Sequence, residues 1–329
     1  MKREITKRQH VVNRKYLSMW GDENENVFCL NDSGRIFSAN PINLCVMSYF
    51  YRFEEINFLE KELILSMLGK GGREYLIANS NDCSTLKDVF NYMLELDNRN
   101  YPDPVLHLLD IVMFCALSKK IIDTSINVLP HSSVQLYENT IKEGVETIET
   151  FFESLGYPFL NKIYNHDYKN LQNDLPDFIE YICVQFTRTN TMKQKNSHLD
   201  NSKVDILKIW SVLHLVTAAK LADSLLGYKL TITIIENKSS THFITGDQPV
   251  INMKASTDGT ATEALEFYYP ISPQLAIKIL PENRPKKISF KVTGILPEEI
   301  HNLNFLIKSF SKCIYGNISD DLTPYQKTI

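Results

Sequence analysis

Apolar residues follow a helical spacing through the middle of the chain and a strand spacing towards both ends. Between about residues 54 and 226 they recur every three or four positions, as at Ile56, Leu59 and Leu63, which is typical of amphipathic helices. Beyond this segment the period changes to two, which is typical of strands. The pattern predicts a single α+β domain over residues 1–329. A mixed or antiparallel sheet is built from N-terminal and C-terminal strands, and residues 54–226 form a mostly helical insertion or subdomain.

The same spacing, together with turn residues, predicts individual elements. A hairpin is expected where Val27–Leu30 and Arg35–Phe37 flank the turn residues Asn31–Gly34. Further helices are predicted over about 54–68, from Ser84, and over 102–117, 132–155, 175–193, 204–226 and 297–312, and strands over 230–235, 242–245, 250–253, 265–269 and 274–280. The helix over 132–155 is expected to stop near Gly156-Tyr157-Pro158. Pro176 is expected in the first turn of the next helix.

Composition and charge narrow the possible partners. Apolar residues make up 43% of the 329 residues, which is ordinary for a globular protein. The net charge of −4 argues against a dedicated duplex-DNA binder, which usually carries a strongly basic face. Basic residues nevertheless cluster at the N-terminus (Lys2, Arg3, Lys7, Arg8, Arg14 and Lys15). This cluster is either a solvated terminus or a basic rim beside a site for phosphate or nucleic acid.

The six cysteines are scattered, with neither zinc-ligand nor redox spacing. Most lie in apolar runs, as buried thiols do, and a reduced, cytoplasmic compartment fits them best. No apolar stretch follows the basic N-terminus, so no signal peptide is expected. The longest apolar segment, 204–226, contains too many charged residues for a membrane span. It is therefore interpreted as a core helix, and no membrane partner is expected.

A constrained corner in the C-terminal half contains an acidic residue. Gly246 permits a tight turn before Asp247, and Pro249 forces the preceding residue towards extended geometry. Asp247 is therefore expected at a strand edge, where it is a candidate catalytic acid, with Thr245 as a candidate substrate-binding residue. The alternative is a turn aspartate that caps its own backbone.

The N-terminal candidate is His10, which directly precedes two valines. A histidine at the end of a strand can act as a general base or bind phosphate. Gln9 would face the opposite side of the strand. If the strand of His10 joins the sheet that contains Asp247, the two side chains converge on one site. The alternative is an ordinary surface histidine.

A third candidate lies on the helix predicted over 175–193. Tyr181, Gln185, Arg188 and Met192 form a second stripe beside its apolar face, so this helix is expected to lie between the core and something else. Arg188 can clamp a carboxylate or phosphate, with Gln185 one turn before it. The alternatives are a solvated arginine or a structural salt bridge.

Familiar cofactor and nucleophile motifs are absent from the sequence. There is no P-loop, dinucleotide GxGxxG, HExxH or GxSxG pattern. A magnesium site formed by Asp247 and Glu54 or Glu60 is possible, but no spacing selects it. Metal and cofactor requirements therefore stay open.

Five motifs in order resemble a known family. They are Gln9-His10 with Arg14 and Tyr16-Leu17, then Gln185 to Thr189, then Phe243 to Val250 with Gly246 where serine is usual, then Tyr269 to Pro273, and finally Asn304 with Cys313 to Tyr315. Together they resemble the prokaryotic domain of unknown function DUF4238. The resemblance carries no settled activity. It implies a bacterial or archaeal source and a loose association with defence and mobile elements. It also implies a shared site containing His10, Gln185, Arg188 and Asp247.

These observations lead to a functional hypothesis. We expect a nuclease-like hydrolase acting on phosphodiesters of RNA or single-stranded DNA. His10 would be the general acid or base, Arg188 would stabilise phosphate charge, and Asp247 would orient His10 or bind a metal. Substrate would be positioned by Gln9, Arg14, Gln185 and Thr245. The alternative is a non-enzymatic sensor or effector module in which the same residues bind a nucleotide, peptide or partner, or are structural. An oligomer is compatible with either hypothesis.

Overall fold

The computed structural model describes residues 8–52, 54–67, 115, 122–124, 126–129, 131–197, 203–256, 264–282 and 287–326. The helices predicted from Ser84 and over 102–117 lie outside these residues, apart from Cys115. The chain divides into two compact units. The first comprises residues 1–9, 48–152 and 196–220, and the second comprises 10–47, 153–195 and 221–329.

The described part of the first unit is mostly helical. Helix α2 (Phe58–Met67) begins with a reciprocal cap, in which Asn57 and Glu60 each accept a hydrogen bond from the other's backbone N–H, at 3.0 and 2.8 Å. Glu60 is buried, and its carboxylate also pairs with Lys208 at 2.6 Å. Glu149 and His214 form a second buried pair, in which Oε1 of Glu149 lies 3.2 Å from Nε2 of His214. The buried carboxylates of Glu60 and Glu149 therefore each have a partner, as burial requires.

The second unit contains two larger sheets. One has the order β10-β5-β9-β8-β7, formed by Ile288–Gly294, Lys229–Glu236, Leu275–Glu282, Phe267–Ser272 and Ile251–Asn252. Its pairings are antiparallel except for β10 with β5, which run parallel. Most of these strands were predicted from the period, but β10 was not.

The other sheet joins the two ends of the chain. Its order is β3-β2-β11-β6, formed by Ile36–Ala39, Val27–Leu30, Ile314–Gly316 and Thr245–Gly246. All three pairings are antiparallel. The predicted N-terminal hairpin therefore pairs with C-terminal strands, and the predicted α+β class, with sheets from both ends and a helical middle, is confirmed.

The strand of His10 does not join either of these sheets. β1 (Arg8–His10) pairs with β4 (Val46–Ser48) in a separate two-stranded sheet. The expectation that His10 and Asp247 share one sheet was therefore wrong. The physical reason is local, because Asn13 caps the short helix α1 (Arg14–Leu17) through its side-chain oxygen and turns the chain away immediately after the strand.

Helix α7 (Pro297–Phe310) covers an apolar core in this unit. Its buried face, with Ile300 and Ile307, packs with Phe243, Ile244 and Ile314. Asn304, on the same helix, accepts a hydrogen bond from Ile244 N at 3.0 Å and donates one to the carbonyl of His242 at 2.8 Å. This buried amide satisfies backbone groups that lack a strand partner.

The predicted end of the long middle helix was wrong. Helix α3 runs from His131 to Tyr164, straight through Gly156 and Pro158. Glycine is required at 156 because a Cβ atom there would lie 2.3 Å from the Tyr181 ring. The glycine therefore marks a close helix contact within the second unit, and not a helix stop.

The predicted position of Pro176 was also wrong. Helix α4 runs from Leu171 to Thr187, which puts Pro176 inside the helix and beyond its first turn. Helix α5 (Asn190–Lys195) follows it. The second stripe of α4 is buried, since Tyr181, Gln185 and Arg188 are at most 3% exposed. The predicted second stripe is therefore enclosed as far as Arg188, whereas its last member, Met192, is half-buried and lies on α5.

Helix α6 (Ile206–Gly227) is long and apolar enough to cross a membrane by length and composition. However, 61% of its most apolar window is buried inside the protein. This burial fits the predicted core helix.

Candidate functional site

The N-terminal segment is attached to the Phe243–Val250 motif by two aromatic residues. The Trp20 indole donates to the carbonyl of Phe243 at 3.1 Å. The Tyr16 hydroxyl donates to the carbonyl of Pro270 and bonds the Thr245 hydroxyl, both at 2.6 Å. Tyr16 and Thr245 are both buried. The two distant motifs therefore meet, through side chains and not through strand pairing.

Arg188 is almost fully enclosed, with 3% of its side chain exposed. Its guanidinium donates to the Glu153 carboxylate at 2.6 Å and to the main-chain carbonyl of His10 at 2.8 Å. Charge-assisted bonds of this kind are among the stronger ones in proteins. Arg188 therefore holds the end of β1 against helices α3 and α4.

The His10 side chain is half-buried beside two guanidinium groups. Burial lowers its pKa most, while a hydrogen bond to the backbone of Pro41 raises it. The charges of Arg14 and Arg188 lower the pKa further, and Glu153 opposes them. The imidazole is accordingly neutral at pH 7, which is the form required of a general base.

Arg14 and its neighbours form the outer edge of this region. Arg14 is exposed at the first position of α1, and Lys15 lies 3.8 Å from the centre of the Tyr157 ring. Asn13 donates to the Tyr157 hydroxyl at 3.0 Å. The described part of the predicted basic cluster, which includes Arg14, therefore lies beside His10.

Asp247 is hydrogen-bonded to a segment that is distant in the sequence, and burial shifts the pKa of its carboxyl group. Its carboxylate accepts a hydrogen bond from Lys312 N at 3.0 Å, and its own N–H donates to the carbonyl of Cys313 at 3.0 Å. Burial raises its pKa to about 6, although backbone hydrogen bonds and the charge of Lys312 oppose the shift. The contacts described for His10 and for Asp247 therefore involve different residues.

Cys45 lies between these two parts of the region and was missed by sequence reasoning. Its carbonyl accepts a hydrogen bond from Val11 N, directly after His10, at 2.9 Å. Burial raises the pKa of its thiol, which Asp247 raises further and Arg188 lowers. Its φ of 50° is in the left-handed region, a conformation that costs energy for a residue other than glycine. No sequence pattern indicates such a position.

Gln9 is engaged in the first unit. Its amide oxygen accepts from Tyr51 N at 2.8 Å, and its amide nitrogen donates to the carbonyl of Lys142 at 2.8 Å. The side chain is fully buried. These contacts tie Gln9 to two separate parts of the segment 48–152 within the first unit.

Gln185 differs from Gln9. It is 1% exposed, and its amide nitrogen has no hydrogen-bond partner among the described residues. A buried amide without a partner costs about 1–3 kcal/mol. The neighbouring amide of Gln248 is fully used, because it donates to Phe186 O and Val250 O and bonds the Thr189 hydroxyl.

The magnesium hypothesis finds no preformed ligand set in the described part of the chain. No group of three or more His, Cys, Asp or Glu side chains there is arranged to hold a metal ion. The Glu60 carboxylate is committed to Lys208 and to the N–H groups of Asn57 and Asp205.

The site thus belongs to an α+β protein with a neutral histidine, two arginines and a half-buried carboxyl group in its second unit. The family described as "Protein of unknown function (DUF4238)" matches residues 163–318. The chain is similar to this family over that region, which contains four of the five motifs, whereas Gln9-His10 lies before it. No curated protein and no solved structure matches the chain.

Proposed function

We propose that the protein is an intracellular, nuclease-like hydrolase of phosphodiesters in RNA or single-stranded DNA. His10 is the general base, and exposed Arg14 binds the phosphate at the outer edge of the site. Arg188 holds the His10 main chain and adds positive charge behind it. Asp247, with its pKa raised to about 6, supplies a carboxyl that is poised near neutral pH.

One observation carries this proposal. His10 is kept neutral by burial while Arg14 and Arg188 are close enough to lower its pKa. A neutral base beside fixed positive charge suits phosphodiester hydrolysis, because the base takes a proton from water while cations stabilise the developing phosphate charge. A pair of groups whose pKa values are pushed in opposite directions, as for His10 and Asp247, is common at acid–base sites.

A second candidate is a non-enzymatic module that binds a phosphate-containing ligand or an acidic partner. The observation in its favour is that Arg188 already uses its guanidinium on Glu153 and on the His10 carbonyl. A cation committed in this way stabilises structure more than a transition state. In this case Arg14 and His10 would bind the ligand without turnover.

The test uses the full chain with fluorescent single-stranded RNA and DNA oligonucleotides, with and without Mg²⁺. We expect cleavage by the wild type and a loss of about 10²–10⁴-fold in His10→Gln, the usual contribution of a general base. Arg14→Gln should weaken substrate binding. The exposed residues His301 and Arg35 provide matched controls, since His301→Gln and Arg35→Gln should leave cleavage unchanged.

The outcomes separate the two candidates. Cleavage that survives His10→Gln in a folded protein would contradict the hydrolase. Absence of turnover, combined with a melting-temperature rise in inorganic phosphate that Arg14→Gln abolishes, would support the binding module. If neither turnover nor a phosphate response occurs, both proposals fail.

A further inference from the structure

One face of the five-stranded sheet is covered at one end and open at the other. Residues directly opposite each other on paired strands share a face, and so do residues two apart along a strand. At the covered end of this face, Ile235 lies opposite Ala276, and both belong to the core that α7 covers. Thr233, two residues before Ile235 on β5, is instead polar and partly exposed. The face therefore changes from core to surface between Ile235 and Thr233.

The open part of this face carries three lysines that form no ion pair with any described residue. Lys278 and Lys291 lie on either side of Thr233, directly opposite it on β9 and β10. Lys287 comes four residues before Lys291, and its carbonyl accepts a hydrogen bond from Leu230 N at 2.8 Å, which continues the pairing of β10 with β5. The alternation along β10 therefore puts Lys287 on the same face. We call these three lysines and Thr233 the lysine face; Lys287 and Lys291 are exposed, and Lys278 is half-buried.

Two acidic groups near the lysine face already have other partners. Glu282 pairs with Lys229 at 2.9 Å, and Glu266, directly before β8, pairs with Lys254 at 3.0 Å. The three lysines therefore leave a local excess of positive charge, although the whole chain has a net charge of −4. A positive surface of this kind attracts anions and raises the rate at which they bind.

The spacing of the three lysines favours an extended polyanion over a single small anion. Neighbouring strands lie about 4.8 Å apart, so the Cα atoms of Lys278 and Lys291 are separated by about 10 Å across β5. Lys287 and Lys291 are separated by about 13 Å along β10. An extended chain of negative charges can meet each ammonium group where it lies, whereas a small anion would have to draw them together. Among the described residues of this face the aromatic one is Tyr268, which is fully buried, so bases have no exposed ring on which to stack.

We propose that the lysine face binds the sugar–phosphate backbone of single-stranded RNA or DNA without sequence preference. Its three ammonium groups contact phosphates, and the Thr233 hydroxyl between two of them donates to a phosphate oxygen. The lysine face does not include any residue of the proposed hydrolysis. It binds strands whether or not the chain cleaves them.

The test measures binding of the full chain to a fluorescent oligo(dT) strand by anisotropy at several salt concentrations, and a gel checks that the strand stays intact. Three lysine–phosphate contacts on a single strand contribute about −2 to the slope of log affinity against log salt concentration. This contribution corresponds to a loss of about twentyfold in affinity between 50 and 200 mM salt. The triple variant Lys278→Gln, Lys287→Gln and Lys291→Gln should therefore bind more weakly at 50 mM salt, with a slope that is shallower by about 2.

A second triple variant removes the same amount of charge elsewhere. Lys169, Lys238 and Arg35 are exposed and lie outside the lysine face, so their combined exchange for glutamine should keep the wild-type slope. The single variant Lys291→Gln should make the slope shallower by about 0.7, the contribution of one contact. It provides the measurement if the triple variant of the lysine face does not fold, which its melting temperature reveals.

Several outcomes would overturn the proposal. They are a wild type that does not bind oligo(dT), equal slopes in the two triple variants, and a strong preference between oligo(dT) and oligo(dA), which would mean that bases are read. Binding to phosphatidylserine vesicles that the lysine substitutions abolish, with oligo(dT) binding unchanged, would assign the lysine face to a membrane instead.

The same measurements separate this proposal from the hydrolase. Strands that are bound through the lysine face but never cleaved would support the proposal and reject the hydrolase. Cleavage that continues while the lysine substitutions leave binding unchanged would reject the proposal and keep the hydrolase.

Discussion

Arg188 binds the main-chain carbonyl of His10 at 2.8 Å while its other guanidinium nitrogen binds Glu153 at 2.6 Å. The first contact positions the backbone of a candidate catalytic residue, and the second neutralises the buried arginine charge. Arg188 thus links the proposed chemistry to the stability of the fold. Its effect on activity has to be separated from its effect on folding.

Removing Arg188 should be strongly destabilising. Arg188→Met leaves Glu153 and the His10 carbonyl without their donor, and breaking a buried pair costs about 3–5 kcal/mol. Glu153→Gln should cost less, because the amide oxygen still accepts from Arg188. The double variant should be less destabilised than the sum, with a coupling of about 0.5–3 kcal/mol in urea unfolding. Additive single effects, or an Arg188→Met variant as stable as the Arg35→Gln control, would contradict the described contacts.

Asp247 should reduce the stability of the protein at neutral pH. Its folded pKa of about 6 lies above its usual value of 3.8, so the folded state binds more protons than the unfolded state between these values. Stability therefore falls as the pH rises through this window. Asp247→Asn, which keeps an acceptor for Lys312 N–H, should be more stable than the wild type by about 1–3 kcal/mol at pH 8. Urea unfolding at pH 8 and pH 4 measures the difference.

The advantage of Asp247→Asn should shrink at pH 4, because the wild-type carboxyl is then largely protonated in the folded state. An advantage that is equal at both pH values would mean that the folded pKa is not raised. A stabilising substitution that also removes activity would identify Asp247 as a residue kept for function at a cost in stability.

His10 should change the pH dependence of stability in the opposite direction from Asp247, so that stability falls as the pH falls. Its folded pKa lies below 6.5, so the unfolded state binds more protons in the window below that value. Its contribution to stability is therefore complete above pH 6.5 and is lost as the pH falls through the folded pKa. The wild type should lose stability relative to His10→Gln between pH 7.5 and pH 5. A constant difference across this range, measured by urea unfolding, would contradict the lowered pKa.

Secondary-structure elements that depend on the local spacing of apolar residues could be predicted from the sequence. Contacts between residues that are distant in the sequence could not. The predicted hairpin and the buried helix α6 follow from spacing alone. Strand β10 had a signal, because Ile288, Phe290 and Val292 alternate with polar residues, and it was overlooked. The residues that contact the candidate site residues had no such signal in the sequence. Glu153 lies on another helix from Arg188, and the left-handed backbone of Cys45 has no glycine to mark it.

The tertiary context also explains an unusual residue in the Phe243–Val250 motif. The resemblance to DUF4238 leads us to expect serine where this chain has Gly246, and a Cβ atom at Gly246 would lie 2.1 Å from Ser311 Oγ. Ser311 is buried, and its hydroxyl has no hydrogen-bond partner among the described residues. The Ser311 side chain therefore occupies the space that a serine at position 246 would fill.

Exchanging these two side chains should show that they compete for one space. Gly246→Ser alone should destabilise by about 1–3 kcal/mol, the usual cost of overpacking. Ser311→Gly alone should cost less, since its hydroxyl has no described partner to lose. The double variant should recover most of the stability, because the nearest remaining atom is the carbonyl oxygen of Cys313 at 3.1 Å. A double-mutant cycle in urea that gives additive effects would contradict the shared space, since independent sites do not couple.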